Sequence, residues 1–218
     1  MIRLRILGLA IVAVFALGGS VSAVAQAAPE FHEKAGKEVK AKKFTGKSGV
    51  GKLIAAGTTV ECKKDESTGE IEGTKKVTNV VVTFKECEAE KEGKKCKVNG
   101  GTIKTNTLVG ELGEVAVAEA ESGVGLDLKA KEGKVFVTLE GECLPISPAK
   151  VEGSVIGEVK PVKKLSKTGE LVYTTAAGKQ KIQNFVGAGK DTLEVFKIAE
   201  ATETTTDETK FEEEVEVT

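Results

Sequence analysis

The sequence predicts an all-β fold, a disulfide-bonded β-sandwich or irregular β-barrel of mostly antiparallel strands. Three observations carry this. Strand-length runs rich in Val, Ile and Thr recur between Gly and Asn turn signals, four cysteines lie downstream of the N-terminal apolar run, and long amphipathic helical periods and βαβ spacings are missing. The run 76–98, KVTNVVVTFKECEAEKEGKKCKV, is the centre of the chain. Thr78, Val80, Val82 and Phe84 share one side of an extended strand, and Val77, Asn79, Val81 and Thr83 share the other. So many apolar positions on both sides suit a strand packed between layers.

Taken in order, residues 1–27 read as a signal peptide. Arg3 and Arg5 precede an apolar run at 6–17, and small-x-small patterns at 23–25 and 25–27 suit cleavage. The run is too short to span a bilayer comfortably, and no later stretch is apolar enough to be a membrane span in the mature chain. Residues 28–45 form a lysine-rich N-terminal arm with Phe31, Val39 and Phe44 as anchors. Residues 46–200 form a single β domain, and 201–218 a polar, threonine-rich linker followed by a candidate terminal strand.

Within the domain, short strands at 49–54 and 58–63 meet at Ala55-Ala56-Gly57, and 66–69 reads as a turn. After the central strand, 88–95 is a charged loop, and Asn99-Gly100-Gly101 is a strong turn because both glycines take positive φ freely. A strand is expected at 102–108, a turn at 110–113 and a weaker strand at 115–118. The alternation of Val124, Leu126 and Leu128 against Gly125, Asp127 and Lys129 predicts a half-wet strand, turned at Gly133 into a hairpin partner at 135–139. Pro145 and Pro148 make 144–148 a crossing loop. Strands at 153–159, 170–174 and 181–186 follow, the last two as a hairpin, and 192–199 is read as strand in preference to a short helix capped by Asp191.

Both arginines lie in the leader, so thirty lysines oppose thirty-three acids in the remainder, a net charge of −3 with His32 neutral. Such a mixture reads as a solvated surface and argues against nucleic-acid binding, which favours a clustered basic face and arginine forks. Cys62, Cys87, Cys96 and Cys143 all lie outside the leader, and an even count in an exported chain predicts two disulfides. Three pairings are open. The local one joins Cys87 to Cys96 and Cys62 to Cys143. The absence of a CxxC pair argues against a zinc cluster.

No G-x-S-x-G elbow, Walker loop, G-x-G-x-x-G fingerprint or H-E-x-x-H helix is present, and the single histidine, His32, sits near a terminus. No catalytic, cofactor-binding or metal-binding residue is therefore assigned, and no cofactor is expected. The remaining route to catalysis is a pair of carboxylates. Residues 111–121 carry acids without an intervening lysine and are where such a pair would be sought, with Glu111, Glu114, Glu119 and Asp127 as strand-borne candidates. A solvated sheet face is the favoured explanation of them. The expectation is that no pair lies in a pocket large enough for a disaccharide. Aspartate is scarce and scattered, at Asp65, Asp127, Asp191 and Asp207, which offers no calcium loop. Tyr173, sharing a face with Leu171, reads as a core-edge residue.

The leader, the strand VVVTFKEC at 80–87, the C-x8-C that follows, the GxIxTxxL segment at 101–108 and GSVIGEV at 153–159 are the distinctive features. In these the chain resembles a group of uncharacterised secreted β-rich proteins of soil actinobacteria. The resemblance implies an exported β-rich domain and brings no catalytic residue. The expectation is thus a secreted or extracytoplasmic, non-catalytic protein acting in structure or interaction, with a cell-wall polymer or another envelope protein as partner. A β-scaffolded carboxylate hydrolase and a soluble ligand-binding module are the alternatives.

Overall fold

In the computed structural model the described residues are 28–118, 121–195 and 199–218. The leader expected at 1–27 lies outside them, as does Glu119. The chain is all-β, and its strands wind into a closed antiparallel ring.

The arm supplies β1 (Phe31–Glu33), a 3-10 turn and β2 (Lys37–Glu38), then enters β3 (Lys42–Ser48). The arm is tethered to the ring: Phe31 pairs with Val217, and Phe31 and Val39 are buried. A second short strand, β4 (Gly51–Ala55), turns at Ala56-Gly57 into β5 (Thr58–Glu72). The turn expected at 66–69 is absent. Ser67 and Gly69 lie inside β5 because they face the interior, where even a β-carbon on Gly69 would strike the Phe44 ring.

The central strand, β6 (Lys76–Lys91), is 16 residues long, so it continues four residues past Cys87 before turning at Glu92-Gly93 into β7 (Lys94–Lys97). Its inner face changes phase at Glu86, which has a left-handed φ of 55°, and β5 changes with it at Lys63 and Lys64. Val80 and Val82 are therefore buried on one side of the kink and Cys87 and Ala89 on the other.

After the Asn99-Gly100-Gly101 turn, β8 (Thr102–Lys104) returns along β6, and β9 (Leu108–Ala118) follows. Gly110 and Gly113, expected in a turn, lie within β9. A β-carbon on Gly113 would sit 2.5 Å from the Phe185 ring, so bare backbone is needed for that ring to lie flat. Gly113→Ala should cost about 1–3 kcal/mol through overpacking. Phe185→Ala in the same background should recover part of that loss in urea unfolding.

β10 (Glu121–Ala130) and β11 (Val135–Leu139) do not form the expected hairpin. β10 pairs with β9 and with β13 (Ser154–Lys160), whereas β11 turns away to pair with β12 (Ala149–Glu152) in a smaller sheet. Leu126 and Leu128 already have neighbours on both sides in the ring, leaving no free edge for β11. β14 (Ser166–Tyr173) follows the Pro161 loop, and β15 (Thr175–Ala176) with β16 (Lys179–Gln180) makes a small hairpin. Residues 181–193 are a strap, not a strand. Ile182 and Phe185 pack on Val115 and Ile156 outside the ring. β17 (Glu194–Val195) and β18 (Ala199–Glu200) complete the smaller sheet.

The segment read as a polar linker is the main correction. Thr202–Val217 is one continuous strand, β19, 16 residues long. It pairs with β14 on one side and with β3 and β4 on the other, which closes the ring β14-β13-β10-β9-β6-β5-β3-β19. The domain thus runs from the arm through β19 and does not end near 200. Threonine suits this role, since its branched β-carbon favours extended backbone.

All four cysteines are bonded, but not in the local pairing. Cys62 and Cys87 are direct cross-strand partners on β5 and β6, 4.0 Å apart at Cα, and both face the interior. Cys96 stands opposite Ala89 on β7 and instead reaches Cys143 beyond β11, 5.9 Å away at Cα. The extra length of β6 carries Cys96 out of reach of Cys87.

A buried acid belt inside the ring

The acids favoured on sequence grounds do not assemble. Glu111 is exposed and Glu114 is half-buried on β9. Asp127 is buried on the outer face beneath the strap, its Oδ1 without a hydrogen-bond partner. Burial pushes its carboxyl up, partly offset by neighbouring Ser154, and Asp191 raises it further.

The structure instead brings together two aspartates set aside as scattered. β19, β3 and β5 are neighbours, and their register places Asp207 opposite Ser48 and Ser48 opposite Asp65. On the far side of β19, Leu171 is paired with Asp207 and Tyr173 with Thr205. All face inward, so ring curvature draws the side chains of Asp65 and Asp207 together over Ser48. Asp65 is 2% exposed and Asp207 9%. The two carboxyls hydrogen-bond each other, the Ser48 hydroxyl donates to Asp65, and Thr205 Oγ1 stands 3.4 Å from Asp207 Oδ1 as a weak donor.

Such a pair holds a proton. Burial raises both carboxyls above their ordinary values. For Asp65 the bonds from Ser48 and Asp207 oppose the rise, while for Asp207 the nearby Asp65 and Glu203 charges add to it. Asp207 is therefore the more strongly raised of the two. Asp65 Oδ1 is buried without a hydrogen-bond partner.

Glu203, two alternations along β19, has its carboxyl pushed up to about 7 by burial and by Asp65. The Tyr173 hydroxyl, in a side chain only 3% exposed, is raised well above its usual value by burial, then by Glu203 and Asp207.

This belt divides the ring interior. On one side lies an apolar cavity of about 70 Å³, with Ser67, Glu170, Asp207 and Thr209 as its polar lining residues. On the other is one of about 40 Å³, bordered by Phe136, Leu193 and Glu203. Ligand pockets for drug-sized molecules span roughly 300–1,000 Å³, so neither cavity admits a sugar. Outside, a cleft of about 450 Å³ is lined by Lys43, Glu70, Asn79 and Lys210, with Phe44 and Phe211 at its base.

Alternation along β19 was the signal available in the sequence. Glu203, Thr205, Asp207, Thr209 and Phe211 fall on one side once 202–217 is read as strand. Among the described residues, no group of three or more His, Cys, Asp or Glu is arranged to hold a metal ion. Nor is any helix among them long and apolar enough to cross a membrane. The two disulfides are consistent with an extracytoplasmic location. Comparison with protein-family models, with curated proteins and with solved structures finds no match.

Proposed function

We propose that the chain is a secreted, non-catalytic protein of the cell envelope or extracellular space, acting in structure or interaction. The observation that carries this reading is the closure of the interior. A carboxylate hydrolase needs its two acids in a site that a glycosidic bond can enter. Among the described residues the close, raised pair stands behind the ring wall beside a cavity of about 70 Å³. Outside the ring several glutamates are matched with lysines, as in Lys85–Glu66 at 2.7 Å and Lys52–Glu61 at 2.9 Å, a mixed-charge surface suited to solvation.

The arm offers the contact surface. Lys34, Lys37, Lys40 and Lys43 are exposed on it, and point charges suffice for weak attraction to an anionic wall polymer. Deleting the arm would also remove buried Val39 and Lys42, which is 2.5 Å from Glu213 and 3.4 Å from Glu33. Charge reversal of Lys34, Lys37 and Lys40 is the cleaner change. The secreted chain should sediment with isolated envelopes at low salt and release near 1 M, where the screening length falls to about 3 Å. The triple reversal should stay soluble throughout. Hydrolysis of envelope polysaccharide by the intact chain, lost in Asp207→Asn, would reject the non-catalytic reading.

A further inference from the structure

On the outer face of the ring, away from the acid belt, a lysine, an asparagine and a glutamate are joined in series. Lys131 Nζ donates to Asn79 Oδ1 at 3.1 Å, and Asn79 Nδ2 donates to Glu70 Oε2 at 3.3 Å. Glu70 comes from β5 and Asn79 from β6, and Lys131 follows the end of β10. Asn79 sits at a bulge, where the register of β6 shifts near it against both β5 and β9. Val77 and Val80 are both buried, so two residues instead of one separate successive inward positions. Asn79 absorbs the extra residue with a left-handed φ of 53°, which asparagine adopts more readily than most residues. On the other side the Lys131 N–H donates to the Thr107 carbonyl at 2.8 Å and Ala130 pairs with Leu108, so the lysine side chain reaches past the start of β9 to β6.

The groups that meet here are those of an amide exchange. A lysine amine is a nucleophile toward carbonyl carbon. A C=O bond is about 1.23 Å long, so Nζ lies no more than about 4.3 Å from Asn79 Cγ. Holding the two within reach replaces a bimolecular encounter with an intramolecular one. An amide nitrogen leaves only with a proton, and the Glu70 carboxylate is the group touching that nitrogen. Lys131 and Asn79 are exposed, so protons and a small leaving group pass freely to solvent.

We propose that Lys131 and Asn79 join in an isopeptide bond, with Glu70 carrying the proton. Lys131 first gives one ammonium proton to solvent. Its Nζ lone pair then forms a bond to Asn79 Cγ, and the C=O electrons move onto Oδ1. In that adduct Nζ and Nδ2 share one carbon, so a carboxylate touching Nδ2 also reaches Nζ. Glu70 takes a proton from Nζ and delivers it to Nδ2. The Oδ1 electrons return, the Cγ–Nδ2 bond breaks, and ammonia leaves. Lysine amines are mostly protonated at neutral pH, which slows a reaction that happens once per molecule but does not stop it. The product ties β6 to the end of β10 through residues 52 apart, and unlike the two disulfides it survives reduction.

The test is mass spectrometry and peptide mapping of the intact folded chain after prolonged incubation at neutral pH. Once reduced, the unaltered chain should be lighter than its sequence by about 17 Da, the mass of one ammonia. Trypsin should release a branched peptide that joins 77–85 to 130–134 and is uncut after Lys131. Lys131→Arg should restore the sequence mass and the linear peptides, since a guanidinium keeps its proton and does not attack. Glu70→Gln keeps the shape of the side chain and should slow formation of the branched peptide at least about 100-fold. Linear 77–85 as the product of the incubated, unaltered chain would overturn the proposal. So would a branched peptide that forms equally fast in Glu70→Gln. A mass loss that persists in Lys131→Arg, with no branched peptide in the unaltered chain, marks succinimide at Asn99-Gly100 and overturns it as well.

Discussion

The folded protein should lose stability as the pH rises from 5 to 8, the reverse of the usual behaviour of carboxylates. The groups responsible are Glu203, Asp207 and Asp65, whose carboxyls are all raised by burial in the ring. A raised acid binds its proton in the folded state at a pH where the unfolded chain has released it. Stability then falls with pH from the unfolded pKa up to the folded one, and the full penalty is present above that. For Glu203 the window runs from the ordinary 4.5 to about 7, worth on the order of 2–3 kcal/mol. Asp207 and Asp65 act in the same direction. Below pH 4 the opposite effect begins. Glu61, Glu66, Glu86 and Glu213 are held low by hydrogen bonds from Lys52, Lys85, Lys64 and Lys42, and protonation removes those contacts. They are surface pairs, screened and individually weak. The urea midpoint should therefore peak near pH 5. Glu203→Gln and Asp207→Asn should raise the midpoint at pH 8 and flatten the slope, since a neutral amide mimics the protonated acid. A midpoint that climbs from pH 5 to 8, or a Glu203→Gln slope like that of the parent, would contradict the buried belt.

Loss of either disulfide should be the largest single covalent effect. Cys62–Cys87 joins residues 25 apart and Cys96–Cys143 residues 47 apart. On loop entropy these stabilise by about 3.5 and about 4 kcal/mol. Paired replacement by alanine, Cys62 with Cys87 or Cys96 with Cys143, should lower unfolding free energy by about 3–4 kcal/mol in each case. Non-reducing peptide mapping supplies the second check, since it should recover the 62–87 and 96–143 links. A fragment joining Cys87 to Cys96 would show the local pairing after all.

Much of the fold is legible because strand formation depends on local pattern. The all-β class, the central strand, the Asn99-Gly100-Gly101 turn and the strand at 153–159 follow from β-branched runs and from residues that tolerate positive φ. Elements are hidden from the sequence where glycine or threonine carries two meanings. Gly69, Gly110 and Gly113 are turn residues by composition and strand residues by packing, because Phe44, Leu128 and Phe185 occupy the space their side chains would fill. The threonines of 202–209 look like a linker until β3 and β14 are seen on either side.

Strand composition, four paired cysteines and a lysine–acid surface are legible without any knowledge of the fold. Alternation, composition and cysteine parity are properties of neighbouring residues and need no partner to be read. Which cysteines meet, where the ring closes, and that Asp65 and Asp207, 142 positions apart, lie together are settled only by the packed strands. Those outcomes depend on register between distant strands. A shift of one residue in β19 against β3 would turn Asp207 to the outside and away from Asp65.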